Sequence, residues 1–176
     1  MDISSMVENM STSTSAALWV LMWALGQLVG LFTGGIALKR LVKANSDSSR
    51  PPLTIGDIVP LLLIGACMMN MSSMINNVWT TFGQGDVSFD AISYDPASGF
   101  GALSTTVNAV LTIVAVFGGM FFFKGLMLLK RGSLEGQSSN GAQGGDTIAR
   151  AITHMIGGAF LINITAILDA FYASAS

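Results

Sequence analysis

Charge is what this sequence has least of. Only 10% of its 176 residues are Asp, Glu, Lys or Arg, whereas a soluble domain carries roughly 25%. Cysteine occurs once, at Cys67, so the chain can form no intramolecular disulfide and carries no redox signature. Histidine also occurs once, at His154, too few imidazoles for a His-based zinc site. The sequence has no phosphate-binding glycine loop, no dinucleotide fingerprint and no paired carboxylates. Its apolar runs lack the repeated acids or bases of a proton relay or voltage sensor. We therefore expect no enzyme, cofactor or metal centre, and we rank a small channel or carrier as a minor alternative.

What the chain has instead is hydrocarbon. Half of it (51%) is hydrophobic, and its mean hydropathy is +0.62. From Ala16 to Leu38 and from Ile58 to Thr80 there is no charge at all. Between Gly101 and Leu129 the one charge is Lys124, and between Ala151 and Tyr172 it is Asp169. Each run is long enough for the roughly 20-residue helix that crosses a bilayer. The expected fold is an all-α membrane protein with four transmembrane helices arranged as two tandem hairpins. A short amphipathic segment (1–15) precedes the first hairpin (16–80, spans 16–38 and 58–79). An extracytoplasmic acidic and aromatic loop (81–104) then leads to the second (105–176, spans 105–129 and 149–172).

All eight basic residues fall in two places. Lys39, Arg40, Lys43 and Arg50 follow the first run, and Lys124, Lys130, Arg131 and Arg150 surround the third connection. The excess of Lys and Arg in cytoplasmic loops puts both groups in the cytoplasm, and both termini and the central loop outside. The acidic start, with Asp2 and Glu8, argues that the first span is retained rather than cleaved. In "STSTS" (Ser11–Ser15) we read capping oxygens. Trp19 and Trp23 read as interfacial anchors, and Lys124 as a side chain that snorkels to the cytoplasmic face. In the central loop, Phe82, Phe89, Tyr94 and Phe100 are expected to rest at the membrane interface. Asp86, Asp90 and Asp95 lack the spacing of a calcium loop.

The chain repeats itself. "FTGGIALKR" (Phe32–Arg40) and "FKGLMLLKR" (Phe123–Arg131) both fit F-x-G-x-x-x-L-K-R, 91 residues apart. "GACMMNMSSMIN" (Gly65–Asn76) lies over "GAFLINITAILD" (Gly158–Asp169), offset by 93. Met68, Met69, Met71 and Met74 fall opposite Leu161, Ile162, Ile164 and Ile167. Hydrocarbon thus replaces thioether, which favours packing over a soft-metal site. Both copies keep a Gly-Ala step and an asparagine. Small residues four apart let helices approach closely in lipid, and a polar side chain can bond across them. The expected helix-packing residues are Gly26, Gly30, Gly34, Gly65, Asn70, Gly118, Gly125, Gly158 and Asn163, with Asn70 and Asn163 contacting protein across helices. The expected basic loops are marked by Lys39, Arg40, Lys43, Lys130 and Arg131.

The stretch "GDTIARAITHMIGGAFLINITAILDAF" (Gly145–Phe171) resembles the IcmC (DotE) family of type IVB secretion and conjugation inner-membrane proteins, which includes a conjugal transfer protein of IncI-type plasmids. Ile152, Thr153, His154, Met155, Ile156, Gly157 and Gly158, then Asn163 and Ile164, carry the likeness. It extends over about 105–171 and is weak before that. The resemblance implies a non-enzymatic part of a bacterial export machine in the inner membrane. It would form homo- or hetero-oligomers with other membrane subunits, in contact with lipid and transiently with transferred DNA. Each half also resembles the hairpin of conjugative pilins. That alternative makes the chain a pilus subunit whose basic loops line the lumen and attract DNA phosphates.

Overall fold

The computed structural model of the chain describes residues 3–46, 55–83, 85–136 and 141–175. Among them there is no strand. Helix α1 runs Ile3–Ser46, α2 Ile55–Met69 and α3 Met71–Thr80. An extended segment leads into a 3-10 helix at Asp95–Leu103, which kinks at Gly101 (φ 57°). Helices α4 (Ser104–Gly136), α5 (Gly141–Ile162) and α6 (Ile164–Ala175) follow. Among the described residues, α1 and α4 are long and apolar enough to cross a membrane. The count rises to four if α2/α3 and α5/α6 are each one bent span.

Several boundaries differ from the sequence expectation, each for a local reason. Residues 3–15 are not a separate segment but the first turns of α1. "STSTS" does not cap that helix. Thr12 Oγ1 and Ser13 Oγ donate back to the Glu8 and Asn9 carbonyls at 2.8 and 2.6 Å, so these hydroxyls bond inside the helix instead of capping it. Downstream, "LKRLVKANS" contains no Gly or Pro, so α1 continues to Ser46 and carries Lys39, Arg40 and Lys43 on its own last turns. Lys130 and Arg131 likewise lie on α4 rather than in a loop. Arg50, Pro51, Pro52 and Thr54 lie outside the described residues.

The chain divides into two compact units. One comprises residues 1–22, 75–122 and 156–176. Its core is built from Trp19, Ile75, Trp79, Val116, Phe122, Ala159 and Ile162, all buried. Ser11 Oγ donates to the Ala109 carbonyl at 3.2 Å, tying α1 to α4. Trp79 and Phe82 both meet Phe160, with ring centroids 5.9 and 5.1 Å away. Trp19 is only 4% exposed. It packs edge-on against Phe89 at 5.0 Å, so Trp19 is not the exposed interfacial anchor expected from sequence. The aromatic pair satisfies itself inside the unit.

The other unit comprises residues 23–74 and 123–155. Its buried residues include Thr33, Ala37, Ile64, Met68, Met71 and Leu126. Ala37, Ile58 and Leu61 cluster together, with Leu134 against them. Met68 and Met71 are 1% and 2% exposed, so half of the methionine-rich stretch is core. His154 Nδ1–H donates to the Arg150 carbonyl, 2.8 Å away on its own helix.

Replacing a buried aromatic leaves a cavity that the surroundings only partly fill, at a cost of about 3–5 kcal/mol. Trp19→Ala is therefore expected to lower the unfolding midpoint of the detergent-solubilised protein sharply. Trp23→Ala, at a half-buried position, is expected to have a smaller effect. Denaturant titration followed by circular dichroism measures both.

Candidate functional site: glycine crossings, bent helices and a tethered loop

The closest approaches between helices occur at glycine. A β-carbon on Gly30 would fall 2.6 Å from the Gly65 carbonyl oxygen and 2.9 Å from the Met69 amide nitrogen. One on Gly65 would fall 3.0 Å from the Gly30 oxygen, and one on Gly26 2.8 Å from the Met68 oxygen. Backbone thus rests on backbone where α1 crosses α2. The same arrangement recurs where α4 crosses α5. A β-carbon on Gly118 would lie 2.8 Å from the Gly158 oxygen and 2.6 Å from the Ile162 nitrogen. One on Gly158 would lie 2.7 Å from both the Gly118 oxygen and the Phe122 nitrogen. Gly125 abuts Ala151 and Met155 of α5 in the same way.

Gly34 behaves differently from the other expected packing residues. Its own β-carbon direction is open, with nothing within 4 Å, although its backbone nitrogen lies 3.2 Å from the β-carbon position of Gly65. It forms the edge of the crossing rather than its centre. The register also departs from the sequence repeat. Gly65 and Gly158, with offset 93, hold equivalent places on α2 and α5, but their partners Gly30 and Gly118 are 88 residues apart, not 91. The second hairpin packs three residues, close to one helical turn, away from the alignment that the Phe–Gly–Leu–Lys–Arg motif gives.

Each return helix bends at the asparagine of the repeat. The chain turns by 96° between Ile58–Met69 and Met71–Thr80, and by 76° between Gly145–Ile162 and Ile164–Ser174. The residues at the two corners are Asn70 and Asn163. Asn163 does not bond across helices as expected. Asn163 Nδ2 donates to the Ala159 carbonyl at 3.0 Å, the same oxygen that its backbone N–H reaches at 3.2 Å. The amide competes with the helix ladder of its own chain, and such competition destabilises a helix interior. Asn70 is exposed, with its backbone N–H on Ala66 and its carbonyl accepting from Met74.

Six residues past each bend, a further polar residue of the repeat bonds to the central loop. Asn76 Nδ2 donates to Asp86 Oδ1 at 3.2 Å, and Asn76 Oδ1 accepts from the Val87 amide at 3.0 Å. Its counterpart Asp169 accepts from the Tyr94 hydroxyl. From α4, Thr112 Oγ1 accepts from the Ile92 amide at 2.9 Å, and Asn108 Oδ1 from the Tyr94 amide at 3.1 Å. The loop from Gly85 to Tyr94 has no regular secondary structure, so these side chains supply acceptors that a helix or sheet would. The acidic and aromatic pattern of the loop identified none of these partners. The signal that could have found them is the Asn76/Asp169 equivalence in the repeat. Among the described residues no three His, Cys, Asp or Glu side chains gather as a metal site. Lys39, Arg40, Lys43, Lys124 and Arg131 are exposed and Lys130 is half-buried.

No protein-family model, no curated protein and no solved structure matches the chain.

Two predictions follow from this geometry. Gly30→Ala and Gly118→Ala force a methyl group into backbone and are expected to destabilise by about 1–3 kcal/mol. Gly35→Ala, with nothing within 4 Å, is expected to be neutral or to stabilise by a few tenths, since Ala suits a helix better than Gly. Unfolding midpoints of the three variants give the comparison. The second concerns Tyr94, whose phenol is pushed above its ordinary range by burial and then by the bond to Asp169 and its charge. The unfolded chain ionises first, so this contribution is fully present below the ordinary phenol pKa and is lost as pH rises through the raised value. Ultraviolet titration of tyrosinate in a Tyr172→Phe background is expected to show a high midpoint, and Asp169→Asn to lower it.

Proposed function

We propose that the protein is a non-enzymatic integral subunit of the bacterial inner membrane, built into a type IVB secretion or conjugative DNA-transfer apparatus. The observation that carries this reading is the apolar outer face of α1. Val20, Leu21, Leu28, Leu31 and Phe32 are each more than half exposed, and only 28% of the helix's most apolar window is buried. A contiguous face of this kind marks a membrane or partner contact. The glycine crossings need no other subunit, so this outer face is left for lipid and for neighbours in the apparatus. The resemblance of Gly145–Phe171 to the IcmC (DotE) family supplies the apparatus. The Lys and Arg clusters supply the orientation, with the 39–43 and 124–131 ends cytoplasmic and the termini and central loop outside. In this account the subunit's task is structural, and separate ATPases supply the energy for transfer.

The test is fractionation of donor cells carrying a tagged chain. We expect the protein in the inner membrane, resistant to carbonate extraction and absent from sheared filaments. Abundance in the filaments would instead make it a pilin. Lys39→Gln with Arg40→Gln is expected to reduce abundance or to invert the first hairpin in reporter fusions, because these charges orient it. Unchanged topology with both charges removed would contradict that role.

A further inference from the structure

The two hairpins share a crossing but differ beside it. Counted in the packing register (offset 88), Gly34 and Gly35 of α1 correspond to Phe122 and Phe123 of α4, and Lys39 corresponds to Met127. In the second hairpin Phe122 is fully buried, so that hairpin fills the flank of its own crossing. In the first, a β-carbon on Gly34 or Gly35 would meet nothing within 4 Å. The result is a groove of about 580 Å³ along α1 and α2, walled by Leu31, Leu62 and Met69 and floored by the two glycines, with Lys39 in its lining. Its walls are hydrocarbon except at that one cation. Lys43, one turn further along α1, is exposed and adds a second positive charge on the same side of the helix.

We infer that this groove holds an anionic phospholipid, one acyl chain lying over Gly34 and Gly35 and the headgroup phosphate on Lys39 and Lys43. The assignment rests on the proposed membrane location with the basic end cytoplasmic. Charge complementarity selects the occupant. An apolar partner helix would leave the Lys39 ammonium group in the lining without a counter-charge. A phospholipid combines hydrocarbon with an anion, as the groove combines apolar walls with Lys39, and basic pockets between membrane helices on the cytoplasmic side bind such headgroups. The two departures from the second hairpin, aromatic to glycine and methionine to lysine, open the space and supply the charge together.

The experiment uses the full chain in detergent, examined by native mass spectrometry after addition of phosphatidylglycerol or phosphatidylcholine with the same acyl chains. Wild type is expected to retain phosphatidylglycerol about fivefold better than phosphatidylcholine. Lys39→Gln with Lys43→Gln is expected to abolish the preference while the chain stays folded. Gly35→Leu, which fills the groove without touching the crossing, is expected to abolish retention of both lipids. Equal retention of the two lipids by wild type, or an unchanged preference in the lysine variant, overturns the site. A wild-type dimer that Gly35→Leu dissociates also overturns it, because a second copy then occupies the groove. Carbonate extraction of cell membranes separates the two claims. A chain that stays in the pellet without lipid preference refutes the lipid site alone, and a chain released from the pellet refutes the membrane reading as well.

Discussion

Where α1 crosses α2 and α4 crosses α5, main chain lies on main chain, with glycine on both sides of the contact. In a medium as apolar as the side chains themselves, hydrophobic burial gives no drive for two helices to associate. Dispersion at close range must serve, and it requires that nothing stand between the backbones. A single methyl group at Gly30, Gly118 or Gly158 would intrude to 2.6–2.8 Å on a neighbouring backbone or side-chain atom. The other features of each hairpin are arranged around that approach. Thr33 returns its hydroxyl to the Val29 carbonyl at 2.7 Å and so presents no unsatisfied donor. Beside the second crossing, Phe122 fills the remaining space.

The bends and the loop form a second layer of construction. A 15-residue α2 reaches only about 22 Å at 1.5 Å per residue, short of the roughly 30 Å hydrocarbon core. The turn at Asn70 sends the rest of that run elsewhere, into a helix whose Asn76 then grips the loop. The second copy repeats the plan with Asn163 and Asp169. Bend and tether are thus one device used twice, with the segment from Val87 to Tyr94 held between the two copies' side chains and those of α4.

Much of this was legible in the sequence, and the residues show why the rest was not. Four long apolar runs, two of them without any charge, gave the helical class, because hydrophobic length is a direct consequence of bilayer thickness. The Gly-Ala-and-Asn repeat found both crossings on the return helices. The register on α1 and α4 was misplaced because Lys39-Arg40 and Lys130-Arg131 dominate the motif that aligns them. Those residues carry the charge expected to orient the chain, whereas Gly30 and Gly118 answer to packing, and the two constraints need not keep the same spacing. Asn163 was assigned a bond across helices because the type of side chain is legible and its partner is not. In the fold the nearest acceptor, the Ala159 carbonyl one turn back, takes the bond. Trp19 was placed at an interface by its residue type, while its ring lies against Gly119 of α4 and Phe89 of the central loop, residues whose positions nothing local encodes. The open flank at Gly34 and Gly35 became visible only once the packing register was known.

Both hairpins close on a glycine–glycine crossing in one shared register. The most direct measurement is solid-state NMR of the unmodified protein in lipid bilayers, labelled with carbon-13 at glycine alone. The account predicts through-space correlations between Gly30 and Gly65 and between Gly118 and Gly158. A correlation between Gly125 and Gly158 in place of the second would put the hairpins in the register of the sequence repeat and contradict it.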